Sequence, residues 1–127
     1  MNRQKTIARE LIAIIGVSND PQKYGHKIFV DLLAAGHPVI GVNPKGGEVA
    51  GQKLVSRLEE ITPIPDLVII VVPPAIAIKV AEQAAELGIK RIWFQPGSES
   101  DEAIKIAKSH GAEVISNACY MKQQGLW

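Results

Sequence analysis

Residues 11–25 read LIAIIGVSNDPQKYG: seven residues from Leu11 to Val17 that are all apolar or glycine, then a polar turn, then Gly25. An unbroken Ile-rich run of this length fits a strand buried on both faces, and such strands belong to parallel sheets covered by helices. Gly16 lets the chain leave the strand tightly. Beyond Gly25, Ile28, Leu32 and Leu33 keep one helical face, and Gly36 follows as the residue that ends the helix. Strand, glycine turn and helix together make the opening half of a βαβ unit.

The pattern recurs down the chain. Further short apolar runs, rich in Val and Ile, cover Pro38–Val42, Leu67–Val72, Arg91–Phe94 and Glu113–Ile115. A second helical face is carried by Val80, Ala84 and Leu87 and stops at Gly88; a third contains Ile104, Ala107 and Lys108 and stops near Gly111. A weaker fourth helix is expected over roughly Val55–Ile61. The order is β-α-β-α-β-α-β-α-β, with strand starts every 22 to 29 residues. That rhythm predicts an α/β fold, a doubly wound five-stranded parallel Rossmann-like sheet in a single domain. Residues 1–10 read as an N-terminal extension and residues 117–127 as an irregular or short helical tail.

Composition agrees and excludes other classes. At 127 residues the chain is one domain. Fourteen basic against thirteen acidic side chains leave a net charge of +1, which argues against nucleic acid as a partner. An apolar content of 46% argues against disorder. No apolar run approaches the ~18 residues of a membrane span. The single cysteine, Cys119, excludes an internal disulfide and suits a reducing cytoplasm. Arg3, Lys5 and Arg9 precede the first apolar run as in a signal peptide, but Ser18-Asn19-Asp20 offers no cleavage site. Zinc-ligand spacing, a catalytic triad and a metalloprotease motif are all missing, so no metal and no catalytic residue is assigned.

Ligands of open parallel sheets bind beyond the carboxyl ends of the strands, so the chemistry is sought in the loops that follow them. After the first strand, Gly16, Val17, Ser18, Lys23, Tyr24 and Gly25 bring the free N–H groups of a helix start toward a phosphate or pyrophosphate. The turn is neither G-x-G-x-x-G nor a Walker A loop. After the second strand, Asn43, Pro44 and Lys45 stand where NAD-binding domains usually carry an acid for the ribose hydroxyls, and a cation there suits a phosphate on the ribose, as in NADP or coenzyme A. After the third, Val72, Pro73 and Pro74 form an apolar ledge suited to adenine or pantetheine. After the fourth, Gln95 is placed to meet a ligand amide, and Ser98 or Ser100 caps the following helix. After the fifth come Asn117 and Cys119. Of the histidines, His37 and His110 fall at helix ends, and only His26 lies on the presumed ligand side. Trp93 reads as core, and Trp127 is unassigned.

Taken together, the segments GVSNDPQKYG, VNPKGGEVAGQK, the Val72-Pro73-Pro74 strand end, and IWFQPG followed by NACYM resemble the CoA-binding domain family, small Rossmann proteins similar to the N-terminal domain of the succinyl-CoA synthetase α subunit. The resemblance covers roughly Leu11 to Met121. It implies coenzyme A as the bound cofactor: pyrophosphate at Gly16, Ser18 and the turn toward Gly25; the adenosine part at Asn43, Pro44 and Lys45; adenine or pantetheine beside Val72 and Pro73; and the thiol end near Asn117 and Cys119. The family's last motif commonly reads Asn-Arg-Cys, whereas Ala118 stands between Asn117 and Cys119 here. The expected function is binding of coenzyme A or an acyl-CoA without catalysis, as a carrier, sensor or regulator. The alternatives are an NAD(P)-binding oxidoreductase and the CoA-binding subunit of a split acyl-CoA ligase. Assembly with a second copy or with a partner subunit stays open.

Overall fold

The apolar runs become strands because each can bury both of its faces. A computed structural model describes residues 10–127; the expectations placed on residues 1–9 lie outside them. The strands are β1 (Ile12–Ile15), β2 (Val39–Val42), β5 (Leu67–Ile70), β6 (Arg91–Phe94) and β7 (Glu113–Ile115). They form one parallel sheet in the order β2-β1-β5-β6-β7. Every residue of β1 and of the central β5 is buried, as expected of inner strands covered on both sides.

Helices cover the two faces. Helix α1 (Tyr24–Ala34) connects β1 to β2. Its buried Ile28, Phe29 and Leu32 pack with Ile12, Ile14, Leu67 and Ile69, and Tyr120 and Met121 of the tail join the same cluster. Helices α2 (Pro74–Leu87) and α3 (Asp101–Ser109) lie side by side on the opposite face. There Ala77, Ala81, Ala84, Ala103 and Ala107 pack against Ala13, Val68, Ile70, Ile92 and Phe94. Alanines on both helices let them approach each other and the sheet closely. The tail carries one short helix, α4 (Tyr120–Gln123).

One expected helix is absent. The stretch Val55–Ile61 holds only a 3₁₀ turn at Leu58–Glu60, preceded by a two-strand hairpin of β3 (Glu48–Val49) and β4 (Gln52–Lys53). The apolar residues do turn inward, since Leu54, Leu58 and Ile61 are buried. However, the run from Thr62 to Pro65 carries two prolines, and proline blocks helix continuation. Three buried side chains on so short a link close the edge of the sheet without a full helix.

The strand order sets the position of the ligand crevice. From β1 the chain steps outward to β2 across the α1 face, then returns past β1 to β5 and proceeds through β6 to β7 across the other face. Right-handed crossovers require this change of face. The connections leaving β1 and β5 therefore diverge, and a crevice opens between them at the carboxyl edge.

Candidate functional site

Two glycines bring the β1 exit and helix α1 together. A Cβ on Gly25 would lie 2.0 Å from the Gly16 carbonyl oxygen, so the helix can seat against the strand exit only without a side chain there. Gly16 itself has φ +104°, and a Cβ on it would lie 2.6 Å from the Val71 carbonyl oxygen and 2.9 Å from Val72 Cγ1. The β1 turn thus rests directly on the chain leaving β5. This places the turn at the reversal of strand order.

The turn is held by its own side chains. Ser18 Oγ accepts from the Asp20 N–H at 3.0 Å, and Asp20 Oδ1 accepts from the Gln22 N–H at 3.0 Å. His26 Nδ1 donates to the Ser18 carbonyl at 2.6 Å; a carbonyl only accepts, so the proton sits on Nδ1. The histidine therefore ties the loop to the helix it enters. Val17 is fully buried, which leaves only its backbone near the site. Lys23 precedes α1 with no capping side chain, and the first turn carries no acid. The other long helices start differently: α3 is capped by Ser100 Oγ, which accepts from the Ala103 N–H, with Asp101 and Glu102 beside it, and α2 opens on Pro73 and Pro74, which have no N–H to offer. Helix α2 likewise has no cap and no acid in its first turn, but Pro74 removes one donor and the Ile76 N–H is turned back to the Pro73 carbonyl, so α1 presents the fuller set of uncapped N–H donors together with positive dipole charge and no resident anion.

The β2 exit lies beside this turn. Asn43 Nδ2 donates to the Val17 carbonyl at 2.8 Å, its Oδ1 accepts from the Lys45 N–H at 2.9 Å, and its own N–H bonds the Val55 carbonyl. The Asn43 side chain thus staples the two loops together. Pro44 and Lys45 are exposed, and Lys45 makes no ion pair among the described residues. By contrast Arg91, at the amino end of β6, pairs with Glu10 and Glu113.

A cleft of about 420 Å³ opens further along the same edge, with Tyr24, Val71, Gln95 and Cys119 among its walls. Gln95 is 5% exposed. Its Oε1 accepts from the Tyr120 N–H at 2.7 Å and its Nε2 points to Cys119 Sγ at 3.5 Å. Both ends of the amide are therefore engaged with the tail. Trp93, buried as expected, donates from Nε1 to the Ala118 carbonyl at 2.7 Å and meets Tyr120 edge-on. These bonds fix Cys119 in the cleft, half-buried. Burial pushes its thiol up, but the Gln95 amide, the backbone N–H groups of Lys122 and Met121, and the Lys122 charge together bring it below the usual thiol range. Asn117 is exposed in a left-handed conformation at φ +61°, which asparagine tolerates.

The expected site residues are thus gathered at one edge: Gly16, Ser18, Lys23, Tyr24 and Gly25 around the β1 turn, Asn43, Pro44 and Lys45 beside it, Val72, Pro73 and Pro74 at the β5 exit, and Gln95, Asn117 and Cys119 around the cleft. Sequence reading missed the tie made by His26, the lysine at position 122 and the tail tryptophan. Only His26 carried a signal, its place just inside the first helix. Among the described residues no cluster suited to a metal ion occurs, and no helix is long and apolar enough to cross a membrane.

Comparison with known proteins gives a consistent result. The family model described as a CoA binding domain matches residues 10–124. The chain is 33% identical over 108 residues to the uncharacterized protein YneT of Bacillus subtilis, covering 85% of this chain and 80% of that one. It is 34% identical over 119 residues to the α subunit of ADP-forming acetate–CoA ligase II of Pyrococcus furiosus; that match covers 85% of this chain but only 26% of the ligase subunit. A solved structure, a conserved hypothetical protein from Pyrococcus furiosus, superposes with a TM-score of 0.85 at 38% identity, covering 90% of this chain and 98% of that one.

Proposed function

The chain belongs to the CoA-binding domain family, and from that premise we propose that it binds coenzyme A or an acyl-CoA through the adenosine diphosphate part, as a carrier, sensor or regulator with no reaction of its own. The observation that carries this reading is the uncapped start of α1, pressed by Gly25 against Gly16 at the reversal of strand order. A diphosphate supplies the acceptors that those N–H groups lack. Lys23 adds positive charge at the same turn, and Ser18 keeps a hydroxyl proton to donate.

Lys45, one loop away and without an ion pair among the described residues, meets the ribose phosphate that distinguishes coenzyme A from NAD. Val72 and Pro73 flank the adenine or the pantetheine arm, and the arm ends near Asn117 and Cys119. Lys122, on the rim of the cleft beside Cys119, supplies a cation near the place where relatives commonly carry arginine and this chain carries Ala118. Beside Cys119 stands the amide of Gln95, which hydrogen-bonds but takes no proton and so gives the thiol no general base. The lone cysteine and the ligand fit the cytoplasm.

Calorimetric titration tests the reading. Coenzyme A is expected to bind, dephospho-CoA about tenfold more weakly, as for loss of one charge-assisted contact, and Lys45→Ala is expected to erase the difference. Equal affinity of the two ligands for the unaltered chain removes the role given to Lys45. Failure of both to bind ends the proposal, and a fluorescence change with NADH or NADPH favours the oxidoreductase instead. The likeness to a ligase α subunit favours a second reading, the CoA-binding subunit of a split acyl-CoA ligase. Thioester formation from acetate, ATP and coenzyme A once a partner carrying the ATP-binding and phosphohistidine parts is added would select it.

A further inference from the structure

The family match ends at residue 124, and the residue that walls the outer side of the cleft lies beyond it. After α4 the chain reverses at Gly125, and the N–H groups of Leu126 and Trp127 both donate to the Met121 carbonyl, at 2.8 and 3.3 Å. The reversal carries Trp127 back onto α1. Its indole N–H donates to Asp31 Oδ2 at 2.7 Å, and its ring lies 6.2 Å from that of Tyr24, tilted by 40°. Trp127 and Tyr24 both line the cleft that holds Cys119. They are also among the most exposed large apolar side chains, at 41% and 65%. An aromatic pair fixed over a cleft and left open to solvent is a costly arrangement for stability alone, because its faces stay wet.

We propose that Trp127 and Tyr24 form an aromatic wall that selects the group carried on the ligand's thiol, favouring short neutral acyl chains over the free thiol. The inference rests on the proposed function, which brings the thiol end of coenzyme A to Cys119. Tyr24, Val71, Pro96 and Trp127 give the cleft a mainly apolar lining. Gln95, its buried amide, is already bonded to the tail and demands nothing from a ligand. A chain of a few methylenes leaves water against these surfaces without stripping any polar group of its partner. The Asp31 carboxylate holds the indole upright from two turns along α1, so it acts as a positioning residue and need not touch the ligand.

The test compares adenosine 3′,5′-bisphosphate, coenzyme A, acetyl-CoA, butyryl-CoA and succinyl-CoA by calorimetry on the unaltered chain, Trp127→Ala and Asp31→Asn. Butyryl-CoA is expected to bind roughly fivefold tighter than acetyl-CoA, as for partial burial of two methylenes. Trp127→Ala is expected to abolish that preference, and Asp31→Asn to reduce it, with the bisphosphate affinity unchanged in both. Tryptophan fluorescence gives a second readout: butyryl-CoA perturbs the unaltered chain but not Trp127→Phe, in which only the core Trp93 reports. Equal affinities for acetyl- and butyryl-CoA, a preference that survives Trp127→Ala, or tightest binding of succinyl-CoA overturns the inference while leaving coenzyme A binding intact. Loss of binding by every ligand, the bisphosphate included, refutes the proposed function itself.

Discussion

Gln95 and Cys119 show how one side chain sets the chemistry of another. The buried amide ties the β6 exit to the tail through Tyr120, and the same amide donates toward the thiol. A donor favours the thiolate, and so do the nearby N–H groups and Lys122, against the opposing effect of burial. Alkylation of Cys119 by iodoacetamide is therefore expected to rise with pH about a midpoint lower than that of an unperturbed thiol measured alongside it. Gln95→Leu is expected to move that midpoint up, with circular dichroism to verify the fold; a midpoint that stays in place assigns the effect to Lys122 and the backbone alone. Asn43 teaches a related lesson. Its place at the end of β2 reads as a ligand contact, yet both ends of its amide are engaged between loops. Residue type and position identify a loop that matters, but not whether a polar group faces the ligand or the protein.

Among the elements, α1 is the one on which the proposed function rests, and its start tolerates little change. Gly25→Ala would raise intrinsic helix propensity by up to ~1 kcal/mol, but the new Cβ meets the Gly16 carbonyl at 2.0 Å, and the clash wins. The expected net loss is about 1–3 kcal/mol of stability in urea denaturation, accompanied by weaker coenzyme A binding as the helix start lifts from the turn. Ser100→Ala provides the contrast. It removes the α3 cap at ~1 kcal/mol and is expected to leave coenzyme A affinity unaltered, because α3 starts on its own acids and serine rather than on a ligand. If both variants lose affinity in proportion to stability, the special position of α1 is refuted. The missing second-crossover helix belongs to this scale too. The apolar spacing of Val55–Ile61 is genuine, but the prolines after it and the hairpin before it leave room for one 3₁₀ turn.

For the whole molecule, ligand binding and stability are linked, since the turn, the β2 loop and the tail meet around one edge. Coenzyme A at a hundredfold excess over its Kd should add ~2.7 kcal/mol and raise the melting temperature on the order of 10 °C for a domain of this size. NADH, which lacks a phosphate on the adenosine ribose, is expected to leave it unchanged, and an equal shift from NADH would argue against a site that reads the ribose phosphate. The five-stranded parallel sheet was legible in the sequence because strands buried on both faces leave uninterrupted Val and Ile runs, and because glycine, proline and serine mark where each run stops. The gathering of the loops at one edge was legible as well, since parallel strands place all their carboxyl ends together. The engagement of Asn43 and Gln95, the tie made by His26, and the folding of Trp127 onto α1 were decided only by tertiary structure. Periodicity and turn chemistry are local and repeat along the chain, so sequence carries them; a hydrogen bond between residues 25 or 96 positions apart, such as Gln95 to Tyr120 or Trp127 to Asp31, depends on how the packed layers bring distant segments together.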